Sequence, residues 1–431
     1  MTPSPIQTLL QRHRNGERSG VYSVCSSHPQ VLRAAMDVAQ RHDTPLLVEA
    51  TSNQVDQFGG YTGMQPAQFR DWLWALADEH GFDRTRLVLG GDHLGPNAWQ
   101  AQAPATAMAH ARDLIAAYAS AGFHKIHLDC SMSCAGDPTP LPDATVAARA
   151  AELAQVAEQA AAAAGLPPPL YVIGTEVPIP GGEASLQGGV AVTQPAAAAA
   201  TLEVHREVFA RAGLDGAWQR VIALVVQPGV DFDHSSVQHY APAAARALSQ
   251  WLEAQPRIVF EAHSTDYQRE RALHELVRDH FAILKVGPAA TFALREALFA
   301  LAAIEAEWLP SAQCSQLPEV LDRRMCEEPR HWRRHYQGDA PQLRLLRRYA
   351  LSDRCRYYWG DAQVRAAVER LVANLRATPP PLTLLSQFLP DAHRAVVDGG
   401  LDAEPLALVR HHIAGCLAPY ARACSANAAP R

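Results

Sequence analysis

The sequence predicts a (β/α)₈ barrel followed by a helical extension, and two observations carry that prediction. Eight short β-branched runs alternate with eight Ala/Leu-rich segments of helical spacing between residues 19 and 305. Each run is apolar on both faces and ends in polar or ionisable residues. Such alternation means parallel strands joined by crossover helices, and strands apolar on both faces need cover on both sides. Eight units of this kind close into a barrel. An open doubly wound sheet would carry a glycine fingerprint after its first strand, and GVYSVCSSHP contains no GxGxxG.

In chain order the strands are expected at 20–25, 46–50, 86–90, 125–129, 170–174, 221–226, 257–261 and 282–286. The helices are expected at 31–41, 66–80, 104–121, 144–164, 195–211, 242–253, 267–279 and 290–305. Four of them open on a proline (Pro66, Pro104, Pro195 and Pro242), which suits a first helical position where no N–H is needed. The Ala-rich fifth helix is stopped by Gly165-Leu166-Pro167-Pro168-Pro169. Beyond residue 305 the rhythm changes to helices at 317–324, 342–350, 362–375 and 404–417, broken by Pro379-Pro380-Pro381. The chain therefore divides into a barrel, 1–305, and a helical extension, 306–431, packed on the barrel or on a partner subunit.

A net charge of −6 with 19% charged residues argues against nucleic acid or an anionic membrane held by bulk charge. The eight cysteines include no CxxC pair, so neither a zinc ribbon nor a disulfide framework is indicated. The stretch MTPSPIQTLLQRHRNGERSG lacks the apolar core of a signal peptide, and no apolar run reaches a membrane span. A cytoplasmic protein with reduced thiols is expected.

Barrel enzymes carry their chemistry on the loops that follow the strands. A lone histidine there is commonly structural, an aspartate often caps the next helix, and a lysine can snorkel out of the core. Eight strand ends that all carry such groups point instead to a functional mouth. His93, His234 and His263, with Glu176, supply imidazole and carboxylate ligands for a divalent metal such as zinc. Asp92, Asp129 and Glu183 remain as acids and bases. Ser264, Thr265 and Gly287 offer hydroxyl and backbone donors, and Lys285 offers charge, at the strand 7 and 8 corner that binds phosphate in many barrels. Arg354 and Arg356 in the extension either reach a phosphate or are ordinary surface and subunit-contact residues, and the surface reading is favoured because exposed arginine is common.

The stretches VEATSNQVDQFGGYTGM, LGGDHLGPN, IHLDCSMSCAGDP, YVIGTEVPIPGGEAS, VVQPGVDFDHS, VFEAHSTDYQ and HFAILKVGPAATFALREA closely resemble the GatZ/KbaZ family. These are the large subunits of class II D-tagatose-1,6-bisphosphate aldolases, and the resemblance extends into the tail at LSDRCRYYW. It implies a phosphorylated ketohexose as substrate, membership of an oligomer, and a smaller catalytic aldolase subunit as partner. Some members carry a tagatose-6-phosphate kinase label, yet this chain has neither a P-loop nor a kinase glycine loop. Other relatives are similar to enzymes that interconvert fructose 6-phosphate and tagatose 6-phosphate by epimerising C4.

The chain also resembles the catalytic class II aldolases at Asp92-His93, at Glu176 through Gly181-Gly182-Glu183, and at Lys285-Val286-Gly287. That likeness makes His93 a zinc ligand and Asp92 the group that handles the C4 hydroxyl proton. It departs at strand 7, where Glu261-Ala262-His263 replaces His-Gly, and at strand 6, where His234 lies further into its loop. Three functions follow: retro-aldol cleavage of tagatose 1,6-bisphosphate, C4 epimerisation of a ketohexose phosphate, and non-catalytic stabilisation of an aldolase complex.

Overall fold

Period-two alternation sorts the side chains of every strand into one set facing the barrel axis and one facing the helices. The computed structural model describes residues 4–177, 182, 186 and 188–425. Its strands are β1 (Val21–Val24), β2 (Leu46–Thr51), β3 (Leu87–Leu94), β4 (Lys125–Leu128), β5 (Leu170–Ile173), β6 (Val221–Val225), β7 (Asp231–Phe232), β8 (Val237–Gln238), β9 (Val259–Ala262) and β10 (Phe281–Val286). All but β7 and β8 pair in parallel and close in the order β1-β10-β9-β6-β5-β4-β3-β2, while β7 and β8 form a small antiparallel ribbon. The predicted (β/α)₈ barrel is therefore present.

The barrel helices are α2 (Pro29–Arg41), α3 (Pro66–Glu79), α4 (Pro104–Ser120), α5 (Asp143–Ala163), α6 (Pro195–Arg211), α8 (Pro242–Glu253), α9 (Glu270–Arg278) and α10 (Pro288–Trp308). The β7–β8 ribbon and the extension helices Leu382–Phe388 and Pro390–Val397 were not expected from the sequence, nor were two helices beside the barrel. One is α1 (Pro5–Arg14), and the other is the single turn α7 (Asp215–Trp218). Helix α9 starts three residues later than its pattern suggested, because Tyr267 takes a left-handed φ of 60°.

Helix α1 plugs the N-terminal end of the barrel. Ser4 caps it within a capping box, and Ile6 and Leu10 join one apolar cluster with Val21, Leu47, Val88, Val172, Ala223, Val259 and Ile283. The lower barrel interior is thus dry and aliphatic. One layer higher the axis-facing positions turn charged, with Glu49, Lys125, Glu261 and Lys285. Register explains how they meet: Glu49 pairs with Gly90, and Gly90 pairs with Lys125. A Cβ on Gly90 would lie 2.6 Å from Glu49 Oε1, so only glycine lets the carboxylate cross β3 to the lysine.

The extension comprises α11 (Leu317–Glu327), α12 (Ala340–Tyr349), α13 (Ala362–Ala377), α14 (Leu382–Phe388), α15 (Pro390–Val397) and α16 (Pro405–Cys424). It is woven into the barrel. Helix α16 packs against α2, α9 and α10 in the outer ring. Gly20 N donates to Cys424 O at 2.9 Å, and Arg422 pairs with Glu270. Among the described residues no helix is long and apolar enough to cross a membrane.

The plug gives a direct test of this packing. Leu10→Ala removes a fully enclosed side chain from the barrel floor and is expected to cost about 2–5 kcal/mol, read from the urea midpoint at unchanged slope.

Candidate active site

The upper strand ends bring together groups far apart in the chain. Strand β3 loses register against β4 between Gly91 and Leu94, so Asp92 and His93 bulge out of the ladder. His93 adopts a left-handed φ of 49°, which turns its ring into the mouth. Gly95 follows close beneath Asp129, where a Cβ would lie 1.8 Å from the Asp129 carbonyl oxygen. The Asp129 carboxylate accepts from His93 Nδ1 at 2.7 Å, Asn97 Nδ2 at 2.6 Å, Ser131 Oγ at 2.6 Å and Ser131 N at 3.2 Å. Its lone pairs are spent on fixing its neighbours.

Asp92 lies in the centre. Its Oδ1 is 3.0 Å from His127 Nδ1 and 3.0 Å from Lys285 Nζ. The Lys125 ammonium, fully buried, lies 2.5 Å from Glu49 and 2.7 Å from Glu261. Lys285 pairs closely with Glu49, which also accepts from Ser23 Oγ at 2.7 Å. His263 Nε2 lies 3.0 Å from Glu261 Oε1, and its ring meets that of His93 edge-on at 4.8 Å. Four carboxylates (Glu49, Asp92, Asp129 and Glu261) therefore face two ammonium groups and the His93 imidazolium, an excess of one negative charge that burial leaves poorly screened.

Asp92, His127, Glu261 and His263 each present one donor atom, all within 4.8 Å of one another. His127 Nδ1 lies 3.0 Å from Asp92 Oδ1, and a ring proton shared there leaves a lone pair on Nε2. Nε2 is buried and has no hydrogen-bond partner among the described residues. A buried, unpartnered imidazole nitrogen oriented by a carboxylate is the arrangement of a metal-binding histidine, so the donor set fits a divalent cation.

Burial opposes charge on His93, but Asp92 and Asp129 outweigh it and hold the pKa up at about 9. Burial lowers His263 and keeps its imidazole neutral. It also pulls the Lys285 ammonium down to about 8, so the lysine stays charged at neutral pH. For Asp92 burial is outweighed by the surrounding imidazoles, and its carboxyl is held well below the usual range.

The expected site residues separate into two groups. Asp92, Asp129, His93, His263 and Lys285 converge at the mouth. His234 does not reach the cluster: Nδ1 is 2.9 Å from Ser352 Oγ and Nε2 2.9 Å from the His335 carbonyl, so both ring nitrogens engage the tail. Glu176 is exposed and accepts from Thr193 Oγ1 at 2.5 Å. Glu183 lies outside the described residues.

The strand 7 and 8 corner is already occupied by protein groups. Thr265 Oγ1 donates to the Lys285 carbonyl at 2.6 Å, while Gly287 N and Ala289 N donate to Asp266 Oδ1 at 3.0 and 2.8 Å. Burial raises the Asp266 carboxyl to about 6 despite those bonds. Ser264, at a φ of 52°, lines the mouth. The tail arginines depart from their expected place as well: Arg354 is buried, and Arg356 is half-buried and lines the same mouth.

Sequence reasoning gave no role to Glu49, Lys125, His127 or Glu261. The signal was present in the period of two, which puts Lys125, His127 and Asp129 in phase and Glu261 in phase with His263.

The family model described as "D-tagatose-1,6-bisphosphate aldolase subunit GatZ/KbaZ-like" matches residues 6–425. The chain belongs to the GatZ/KbaZ-like family. Among solved structures, that of a probable tagatose 6 phosphate kinase from Sinorhizobium meliloti 1021 is 48% identical, with 94% of this chain and 100% of that chain covered and a TM-score of 0.87. The YdjI aldolase from Escherichia coli K12 matches at 12% identity, covering 85% of this chain and 96% of its own, with a TM-score of 0.41. A fructose-bisphosphate aldolase from Campylobacter jejuni matches at 13% identity, covering 87% and 93%, with a TM-score of 0.44. These two aldolases are too distant to bear on this GatZ/KbaZ-like site.

The electrostatics yield a pH test. A histidine whose folded pKa exceeds its unfolded value of about 6.5 adds stability below that pH and loses the contribution as pH rises through the folded value. Chelator-treated protein is therefore expected to lose melting temperature between pH 6.5 and about 9, with His93→Gln removing that component. An identical pH profile in the variant would refute the assignment.

Proposed function

We propose that this GatZ/KbaZ-like chain is a working metal-dependent enzyme that performs aldol-type chemistry on a ketohexose phosphate at the barrel mouth. The observation that carries the reading is the donor set His127, Glu261 and His263, with His127 Nε2 buried and unpartnered. Two imidazoles and a carboxylate, with the Asp92 carboxylate beside them, suit catalytic zinc. The excess of negative charge around them favours a cation. A cation held there supplies Lewis-acid polarisation of the ketose carbonyl and its neighbouring hydroxyl.

The chain's own residues supply the proton chemistry. Asp92 lines the cavity and, with its pKa held low, is a free carboxylate at neutral pH. It takes the proton of the C4 hydroxyl, the C3–C4 bond breaks, and the electron pair passes towards the C2 carbonyl, leaving an enediolate and an aldehyde. His93, fixed by Asp129, is placed to hold or return a proton beside it. The non-catalytic alternative would leave the cost of burying these charges without a purpose.

A second reading, C4 epimerisation of a ketohexose monophosphate, shares the same first step and then re-adds the rotated aldehyde. It is favoured by the strand 7 and 8 corner, where Thr265 and Gly287 have no donor free for a second phosphate. In either reading the chain works in the cytoplasm as an oligomer, alone or beside a smaller class II aldolase subunit.

The test is full-length protein loaded with zinc and assayed on tagatose 1,6-bisphosphate and fructose 6-phosphate, with metal content measured separately. His127→Ala and Glu261→Gln are expected to lower zinc affinity about 10–100-fold or more. Asp92→Asn is expected to keep zinc and to slow turnover by about 10²–10⁴-fold. The proposal fails if zinc-replete wild-type protein converts neither substrate, alone or with the smaller subunit.

A further inference from the structure

A mouth with excess negative charge repels a phosphate, so a handle for one must bring its own positive charge. Among the described residues lining the mouth cavity of about 90 Å³, only Lys285 and Arg356 are lysine or arginine. Lys285 is committed to Glu49 and Asp92. Arg356 is not committed to any acid. Its Nη1 donates to the main-chain carbonyls of Ser352 and Asp353, the latter at 3.0 Å, and its Nη2 donates to Tyr357 Oη at 3.0 Å.

Arg354, only 8% exposed, donates to the His331 carbonyl at 2.8 Å, and its Nε is buried without a partner. Neither guanidinium forms an ion pair with a carboxylate among the described residues. The acids nearby are otherwise engaged: Asp353 accepts from Thr291 and Cys355, and Asp266 caps the start of α10. Asp353 and Asp266 act on Arg356 only at a distance, so two adjacent, largely desolvated guanidinium groups lack a directly paired carboxylate, and an anion between them and the barrel would fill that place.

The segment that carries them is fixed by the barrel itself. His234 holds Ser352 Oγ and the His335 carbonyl, the His234 carbonyl accepts from Leu351 N at 2.9 Å, and Tyr267 Oη donates to the Leu351 carbonyl at 2.5 Å. Arg356 also borders a second cavity of about 770 Å³, so it stands at the junction between the mouth and the space beneath the tail.

We infer that the tail supplies the phosphate handle of the site: Arg356, backed by Arg354, receives the substrate's phosphate in place of the strand 7 and 8 corner. His234 is then a positioning residue for that handle. The inference rests on the proposed phosphorylated substrate but is tested apart from catalysis. A planar guanidinium binds phosphate in bidentate fashion, which an ammonium does not reproduce.

Full-length protein is titrated with inorganic phosphate at constant ionic strength and followed by ³¹P NMR, with zinc content and melting temperature measured on every variant. Arg356→Ala is expected to weaken phosphate binding about 10-fold or more, Arg356→Lys by less, and His234→Ala measurably, all with zinc content unchanged. Should Arg356→Ala fail to fold, the lysine and His234 variants decide. The inference is overturned if wild-type protein binds no phosphate, if both Arg356 variants bind it as wild type does, or if Ser264→Ala alone abolishes binding. Phosphate binding that depends on Arg356 in a protein inert towards both sugars would leave this site standing and remove the proposed function. Turnover with an unchanged KM in both Arg356 variants would do the reverse.

Discussion

The Lys125 ammonium, sealed from water, touches Glu49 on one side of the barrel and Glu261 on the other, and everything above it depends on that bridge. A buried ammonium with one carboxylate removed is strongly destabilising, because the remaining charge has no solvent to turn to. The bridge in turn fixes Glu261 beneath His263, and Glu49 beneath Lys285, and so sets the floor on which Asp92 and the imidazoles rest. The geometry at the mouth is thus inherited from a layer whose Lys125 and Glu49 do not line the mouth cavity. Gly90 is part of this construction, since its missing side chain is the gap through which Glu49 reaches across the sheet.

Much of the fold was legible from alternation alone, because parallel strands with both faces covered leave a strong hydrophobic signature. All eight barrel strands fall within a few residues of their expected positions, and β3 departs most, running on to Leu94. That extension is where the chemistry enters: the bulge at Asp92 and His93 adds residues that a regular pleat has no place for. A short apolar pattern does not announce a bulge. Helix α1 escaped notice for a different reason, since its polar face dominates its composition and only Ile6 and Leu10 reveal what it covers.

The site was legible in its types of residue and less so in their directions. Asp92, His93 and His263 stand at strand ends, where position nearly determines orientation. His234 lies in the turn between β7 and β8, which carries it away from the axis and towards Ser352. Sequence gives distance along the chain but not the bend of a loop. Thr265 and Gly287 were sound as donor types, yet Lys285 and Asp266 accept their bonds. Whether a donor is free depends on the neighbours that folding assembles. The same limit left Arg356 undecided between a phosphate contact and the surface, because its place at the mouth follows from how His234 and Tyr267 hold the segment after α12.

The hydrogen bond between Gly20 and Cys424 joins the beginning of the barrel to the last turn of the last described helix. During synthesis, β1 (Val21–Val24) emerges long before α16 (Pro405–Cys424), which packs against it. Contacts of such separation carry a large loop-closure entropy, and they slow folding. Until then the apolar outer face of β1 and its neighbours α2 and α9 lack their cover. The woven tail therefore makes completion of the barrel a late, all-or-nothing event and leaves truncated chains prone to aggregation.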